Sequence, residues 1–343
     1  MKLTIKNLGA LKEAEIDLSK DLILLCGHNN TGKTYMINTM YDAFQTNLDL
    51  ILDYQNKVFF FTSERAAINI FSKELALNKN QTLDKILKAK GEERERLLKY
   101  AEENINRYQK PIADELEIAE DLLNLSKRKS EFEFLAIELE QSILEGKISV
   151  GQYGGLQYQP NESDENTVLE IAQTSSLVKS LSPIVFYLRH LAEKNDCIII
   201  DEPELNLHPD NQILVARFLG RLVNEGFKVV ASTHSDYIIR ELNNLIMLSN
   251  SFGEKEELRK KYGYKENELL KSEQVGAYYF EKGKNTAVPV PMLKRGIEID
   301  SIDLVITDLN ERSDDIYYSF LESDENIAQE KEEEAKKAEQ QKN

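Results

Sequence analysis

One short run of residues limits what this chain can fold into: Gly27-His28-Asn29-Asn30-Thr31-Gly32-Lys33-Thr34. It satisfies the pattern G-x-x-x-x-G-K-[S/T] at every position. The apolar segment 22–26 precedes it, and a helical pattern starts at Lys33. A glycine-bearing turn between a buried strand and a helix N-terminus directs several backbone N–H groups at phosphate oxygens. The sequence therefore predicts a phosphate-binding loop on an α/β fold.

The side chains of this run have separate expected roles. Lys33 is expected to reach the β- and γ-phosphates, and the Thr34 hydroxyl to ligate Mg²⁺. The predicted ATP-binding residues of the loop are Gly27, Asn29, Asn30, Thr31, Gly32, Lys33 and Thr34.

Two adjacent carboxylates follow another apolar segment. Residues 197–200 predict a buried strand, and Asp201 and Glu202 come directly after it. Two neighbouring acids at the end of a buried strand are explained by a bound Mg-nucleotide. Asp201 is expected to hold the Mg²⁺ shell and Glu202 to polarise the attacking water. The alternative is a strand that is simply capped by charges.

Two further candidates lie at the ends of predicted elements. His234 follows the predicted strand 228–232 at the carboxyl edge of a parallel sheet, where ligands bind, and is expected to contact the γ-phosphate. With Glu202 and Lys33 it completes the predicted catalytic set. Ser176 begins a predicted helix, whose N-terminus suits an N-cap and also the γ-phosphate of a nucleotide carried by another subunit. Pro183 either kinks this helix or starts a second one.

The pattern of elements predicts the organisation of the chain. Strands alternate with helices between 176 and 232, which favours a largely parallel sheet with helices on both faces. Alternating segments at 155–159 and 167–171 predict a hairpin or small sheet. Five ranges are expected: 1–81, an ATPase lobe with the phosphate loop; 82–145, a helical insertion; 146–250, a second ATPase lobe; 251–323, a C-terminal α/β extension; and 324–343, a charged flexible tail.

Composition excludes several classes of protein. The 343 residues include 43 Lys and Arg against 60 Asp and Glu, a net charge of −17, so the bulk positive field of a nucleic-acid-coating protein is missing. Local basic clusters at 127–129 and 259–261 leave a DNA-contacting patch open. No apolar run approaches the roughly 18 residues that span a bilayer. Both cysteines, Cys26 and Cys197, lie in apolar runs, which predicts buried reduced thiols in a cytoplasmic protein.

The order of these motifs resembles that of an ABC-type ATPase, and more narrowly the RecF, SMC and OLD-like branch. The most specific part is the run Asp201-Glu202-Pro203-Glu204-Leu205-Asn206-Leu207-His208-Pro209, which is similar to D-E-P-E-x-x-L-H-P. Segments 61–66 and 174–181 look like those of stand-alone bacterial ATPases of this group. The resemblance implies a P-loop NTPase fold of ABC type, with a mixed, mainly parallel central sheet, an antiparallel β-subdomain and a helical insertion.

The resemblance also implies a mechanism. Two ATP molecules, each with Mg²⁺, would lie head-to-tail between two protomers, Ser176 would contact the partner's γ-phosphate, and the stretch around His208 would cross the interface. The sequence departs from the pattern at Leu177, where Ser-Gly is usual, and no glutamine loop is identified after Lys33. No D-x-D motif follows residue 250, so the TOPRIM nuclease of OLD proteins is expected to be absent.

Four functions are compatible with these observations. Relatives without a nuclease often act as the ATPase half of bacterial anti-phage or toxin-like systems, so the leading hypothesis is an ATP-dependent dimer that hydrolyses ATP slowly and assembles a separately encoded effector. The alternatives are a RecF-like DNA-repair ATPase, the nucleotide-binding subunit of a transporter, and a scaffold that binds ATP without turnover. Glu202 argues against the scaffold, because a scaffold needs no general base.

Overall fold

The strands of this protein come from the beginning, the middle and the late part of the chain. The structure is a computed structural model and describes residues 2–9, 11–46, 57–105, 108–161, 167–284 and 286–321. The strands are β1 (Lys2–Leu8), β2 (Leu11–Asp17), β3 (Leu22–Gly27), β4 (Val58–Phe61), β5 (Gly146–Val150), β6 (Leu156–Pro160), β7 (Leu169–Glu170), β8 (Cys197–Asp201), β9 (Lys228–Thr233), β10 (Val275–Phe280), β11 (Thr286–Val290), β12 (Met292–Leu293) and β13 (Gly296–Ile297).

Within those ranges, eight strands form one mixed sheet in the order β1-β2-β11-β10-β3-β9-β8-β4. Strands β10, β3, β9, β8 and β4 are parallel to one another, whereas β1 with β2 and β10 with β11 are antiparallel pairs. Every residue of β3, β8 and β9 is buried, as expected for parallel strands that are covered on both faces. A separate antiparallel sheet, β5-β6-β7, confirms the small sheet predicted between 146 and 172.

The helices alternate with the central strands as the sequence predicts. They are α1 (Lys33–Thr46), α2 (Arg65–Lys88), α3 (Glu92–Ile105), α4 (Lys110–Glu120), α5 (Leu122–Leu125), α6 (Glu133–Leu139), α7 (Ser176–His190), α8 (Pro209–Asn224), α9 (Asp236–Ser249), α10 (Lys255–Tyr262) and α11 (Asp300–Leu321). A π-helical turn, Glu140–Leu144, extends α6. Pro183 does not divide α7, which continues through it as one helix.

One hydrophobic core lies between α1 and one face of the sheet. Met36, Ile37 and Met40 of α1 belong to the same buried cluster as Ile23 of β3 and Ile199 of β8. Because side chains alternate along a strand, the intervening residues of β3 and β8 face the opposite side of the sheet. This two-sided burial fixes the carboxyl ends of β3, β8 and β9 next to one another.

The chain divides into two compact units, residues 1–297 and residues 298–343. Helix α2 runs across the expected boundary between 81 and 82, and β10 and β11, from the expected C-terminal extension, belong to the central sheet. The five expected domain ranges stay predictions, and the expected tail, 324–343, lies outside the described residues. None of the helices in the described part of the chain combines the length and apolar character that crossing a bilayer requires.

Candidate functional site

The predicted phosphate loop curls tightly between β3 and α1. Gly27 has φ +135° and Gly32 has φ +101°, values that side-chain-bearing residues rarely adopt. A Cβ atom at Gly27 would lie 2.4 Å from the carbonyl oxygen of Phe280 in β10, and one at Gly32 would lie 2.8 Å from Cγ of Leu11. Both positions therefore require glycine.

Lys33 is a buried cation at the first position of α1. Its Nζ donates to the carbonyl oxygens of Gly27, at 2.9 Å, and His28, at 2.7 Å. Burial lowers the pKa of Lys33, and the nearby carboxylates of Glu202 and Asp201 act in the opposite direction. A buried ammonium whose hydrogen-bond acceptors are neutral carbonyls is suited to an incoming phosphate.

The other predicted loop residues are arranged around this cation. Thr31 is buried and its hydroxyl donates to the carbonyl of His28, whereas Asn29, Asn30 and Thr34 are exposed. Asn30 has φ +61°, so the chain turns here through the left-handed region. The exposed Thr34 hydroxyl is available to a ligand beside the N-terminus of α1.

Asp201 ends β8 opposite Ser232 of β9. The Ser232 hydroxyl donates to Oδ1 of Asp201 and accepts from the backbone N–H of Glu202 at 3.1 Å. Burial raises the pKa of Asp201, the bond from Ser232 opposes this rise, and the charges of Glu202 and Glu64 add to it. A carboxylate whose charge is disfavoured in this way is stabilised by a cation.

His234 lies between two glutamates. Its Nδ1 is 3.6 Å from Oε1 of Glu202 and 3.4 Å from Oε1 of Glu204. Glu204 is buried, and its Oε1 accepts from the Thr233 hydroxyl and from the His234 backbone N–H, both at 2.8 Å. Its Oε2 is also buried and has no hydrogen-bond partner within the described residues. His234 and Glu202, both predicted as site residues, thus lie next to each other, and Glu204 lies beside them.

Ser176 is exposed at the N-terminus of α7, where the hydroxyl of the preceding Ser175 caps the helix by accepting from the N–H of Val178. Its hydroxyl donates to the carbonyl of Asn206 at 3.2 Å, and therefore touches the segment that follows the two acids. Leu177 is half-buried. His208 is exposed, 3.2 Å from a carboxylate oxygen of Asp210, and lies outside the group formed by Glu202, Glu204 and His234.

Three residues of this region were not predicted as site residues: Arg65, Glu204 and Ser232. Glu204 lies within the acidic run but is not adjacent to the strand end. Ser232 is the residue before Thr233 at the end of β9, and only the register of β8 with β9 brings it to Asp201. Arg65 begins α2 and lies in segment 61–66, where the sequence offers only a resemblance to known ATPases.

The remaining predictions concern cysteines and basic clusters. Cys26 and Cys197 are buried and free, which confirms buried thiols, and burial raises the pKa of both. Arg259 of the cluster 259–261 pairs with Glu256 and Glu266. The side chains of cluster 127–129 are exposed.

A comparison of the sequence with models of known protein families identifies the family of this chain. The model of the AAA ATPase domain family matches residues 1–53 and 36–239, more than half of the chain. The chain belongs to this family. As an AAA ATPase it binds and hydrolyses ATP, and the predicted α/β fold is confirmed, with a phosphate loop, a mixed central sheet, a separate antiparallel sheet and helices inserted between the strands.

Solved structures similar to this AAA ATPase are distant. A dimeric bacterial ABC-transporter cassette is 14% identical, covers 83% of this chain and 93% of its own, and has a TM-score of 0.34. The SMC head domain of Pyrococcus furiosus, bound to the C-terminal domain of ScpA, is 12% identical, covers 90% of this chain and 98% of its own, and has a TM-score of 0.40. No curated protein matches the chain significantly.

The residues present fit a nucleotide with Mg²⁺, which such an ATPase typically uses. Lys33 and the N-terminus of α1 would supply the positive side of an anion site, and Asp201, whose charge is disfavoured by burial, would supply an oxygen ligand. In the described ranges, no cluster of three or more His, Cys, Asp or Glu side chains has the arrangement of a metal site. Mg²⁺ is bound through one or two protein oxygens, with phosphates and water completing its shell.

Proposed function

We propose that this chain is an ABC-type ATPase of the RecF, SMC and OLD-like branch that dimerises around ATP and hydrolyses it slowly. The observation that carries this proposal is the meeting of four polar groups at one sheet edge: Lys33, Asp201, Glu202 and His234. These polar groups come from the ends of three neighbouring strands, and the packing of the sheet alone does not require them to lie close together. A triphosphate with its metal gives each of them a partner.

In the proposed site, each residue has one task. The N–H groups of residues 27–34 and the Lys33 ammonium hold the phosphates, and Thr34 and Asp201 hold Mg²⁺, which neutralises phosphate charge when it is bound. Glu202 accepts a proton from the attacking water, and His234 hydrogen-bonds the γ-phosphate. Glu204 orients His234 by accepting from its backbone N–H.

The proposed dimer places Ser176 against the nucleotide of the partner subunit. The exposed hydroxyl at the N-terminus of α7 supports this role, because a helix N-terminus that carries an accessible hydroxyl suits an anion. Its bond to the Asn206 carbonyl links it to the segment that follows Glu202 in the same chain. Nucleotide binding at one site of the dimer thereby affects the position of the carboxylates at the other site.

The proposed biological role is to assemble or regulate a separately encoded effector, such as a nuclease or toxin, in bacterial anti-phage defence. This role follows from the resemblance of the motifs to stand-alone bacterial ATPases. A slow ATPase suits it, because an ATP-bound dimer then lasts long enough to hold a partner. We expect hydrolysis to be slow or stimulated by that partner.

The mass of the Glu202→Gln protein with and without Mg-ATP tests this proposal. Glutamine keeps the shape of the side chain but removes the base, so hydrolysis should fall by about 100-fold or more. Light scattering should then show a dimer or larger assembly only when Mg-ATP is present. A persistent monomer would show that this chain does not dimerise around ATP. It would identify Leu177 as an obstacle to the contact between Ser176 and the nucleotide of the partner subunit, and the Leu177→Gly variant would then dimerise. Unchanged hydrolysis in Glu202→Gln would reject the assignment of the base.

A further inference from the structure

Arg65 is a fully buried arginine whose contacts are unusual. Its side chain is 0% exposed. Its four side-chain hydrogen bonds go to main-chain carbonyls: those of Ser180, Thr62, Asp201 and Glu202. Burial lowers the pKa of Arg65, and the charges of Glu115 and Asp201 oppose this change. Burying a guanidinium that binds only neutral carbonyls costs free energy, because the charge is removed from water. The contacts of Arg65 with these carbonyls therefore need an explanation.

Two of the four carbonyls flank a single Cα atom. Nη1 donates to the carbonyl of Asp201 at 2.8 Å, and Nη2 donates to the carbonyl of Glu202 at 3.0 Å. The first carbonyl belongs to the peptide plane before the Glu202 Cα, and the second to the plane after it. The relative orientation of these two planes is the pair of angles φ and ψ of Glu202. One rigid guanidinium therefore fixes both angles.

The backbone of Glu202 needs such support. Glu202 has φ +50°, a left-handed conformation that residues other than glycine, asparagine and aspartate seldom adopt. The next residue is Pro203, which further restricts the residue before it. A conformation of this kind costs about 1–3 kcal/mol and persists only where its surroundings hold it. The Ser232 hydroxyl supports the same turn by accepting from the Glu202 N–H.

The other two contacts tie the guanidinium to neighbouring elements. Nε donates to the Ser180 carbonyl of α7 at 3.1 Å, and Nη1 also donates to the Thr62 carbonyl at the end of β4 at 2.9 Å. Thr62 is held in turn by Glu115 of α4, whose Oε2 accepts from the Thr62 N–H and hydroxyl. Arg65 is thus anchored on three sides.

We propose that Arg65 is a positioning residue that holds the Glu202 backbone in its left-handed conformation and so aims the carboxylate at the attacking water. This inference rests on the proposed role of Glu202 and extends it. Arg65 contacts carbonyls of the site and has no direct contact with the reacting atoms in this arrangement. Its removal therefore acts on turnover and leaves the phosphate loop intact.

The Arg65→Lys variant tests this inference, because lysine keeps the charge but cannot span both carbonyls with a planar fork. We expect kcat to fall by about 100-fold, the effect of a small misplacement of a catalytic group, with unchanged affinity for ATP. The ATP-dependent increase in mass should persist. The matched control is Arg189→Lys, a partly buried arginine on α7 that contacts Glu140 and the Ile148 carbonyl, and it should retain wild-type kcat.

The comparison is made at a temperature where circular dichroism shows both variants folded, with Arg65→Gln and Arg65→Met as further variants. Wild-type kcat in Arg65→Lys would overturn the proposal, as would a parallel loss of kcat and ATP affinity. If no Arg65 variant folds under any condition, the residue serves stability alone and the proposal is also overturned. Wild-type hydrolysis in Glu202→Gln would instead reject the proposed function, which keeps the two failures distinct.

Discussion

Two buried lysines lie at opposite edges of the central sheet and have nearly the same local chemistry. Lys33, at the carboxyl edge, donates to two carbonyls of its own loop. Lys228, at the beginning of β9, donates to the carbonyls of Leu18 and Lys20, both at 2.6 Å. Burial lowers the pKa of both ammonium groups. The difference lies in the surroundings: Lys33 has the carboxylates of Glu202 and Asp201 nearby, which are proposed to act in hydrolysis, whereas Lys228 binds the turn between β2 and β3.

Two arginines show a related contrast. Arg189 lies in the last turn of α7, is partly buried and is paired with Glu140 at 2.6 Å, while Glu133 lies 3.5 Å from it. Arg65 donates to carbonyls only. Arg189 is thus paired with carboxylates of its own chain, whereas Lys33 and Arg65 donate to carbonyls and lie near the carboxylates of Asp201 and Glu202. The comparison teaches that neither burial nor carbonyl partners alone separate a structural charge from a functional one, because Lys228 is buried and donates to carbonyls too. What differs is the set of carboxylates near the charge.

The largest effect that can test this comparison is on nucleotide binding. Lys33→Met should weaken ATP binding by about 1000-fold, about 4 kcal/mol, because the phosphates lose their buried cation. Lys228→Met should bind ATP as the wild type does and lose stability instead. Titration calorimetry with Mg-ATP and thermal melts of both variants measure the difference. Equal ATP affinity in Lys33→Met and wild type would contradict the assignment of the phosphate loop.

A smaller effect is expected at the Glu140–Arg189 pair. Glu140→Ala should lower the free energy of unfolding by about 3 kcal/mol, because it leaves the partly buried guanidinium of Arg189 without its main carboxylate. Glu133→Ala, which removes the half-exposed partner, should cost less than about 1 kcal/mol. Urea unfolding of both variants checks this order. Loss of ATP turnover in folded Glu140→Ala would break the distinction between the two edges.

The smallest effect concerns pH. Burial raises the pKa of Glu115 to about 7, against the bonds from Thr62 that act to lower it. The folded state therefore holds a proton that the unfolded chain has lost, and the stabilising contribution of this group declines as pH rises from its ordinary pKa towards 7. Glu115→Gln, which resembles the protonated acid, removes this dependence.

Between about pH 5 and about pH 8, the wild type should lose about 1–3 kcal/mol of stability relative to Glu115→Gln. Urea unfolding at both pH values measures the change, with the exposed Glu133→Gln as the control. A constant difference between wild type and Glu115→Gln would show that Glu115 stays ionised beside Thr62 across this range.

Much of the fold was predictable because its signals are local. The loop at 27–34, the apolar strands at 22–26 and 197–200, and the serine-led helix each lie within one short stretch, and the structure confirms these elements. Strands β10 and β11 lie in the range predicted as a C-terminal α/β extension, but their place in the central sheet was not predicted. β10 inserts between β11 and β3, a pairing that depends on which strand edges are available after the rest of the sheet has formed.

The sequence by itself determined where phosphate chemistry can occur, because a glycine-bearing turn and an acidic strand end are properties of consecutive residues. The tertiary structure decided how the carboxylates are held. Arg65 reaches the Asp201 carbonyl across 136 positions of sequence, and Ser232 reaches the Asp201 carboxylate across 31. Every residue has a main-chain carbonyl, whatever its side chain, so the sequence does not indicate which carbonyls a buried guanidinium binds. Only the folded chain shows this.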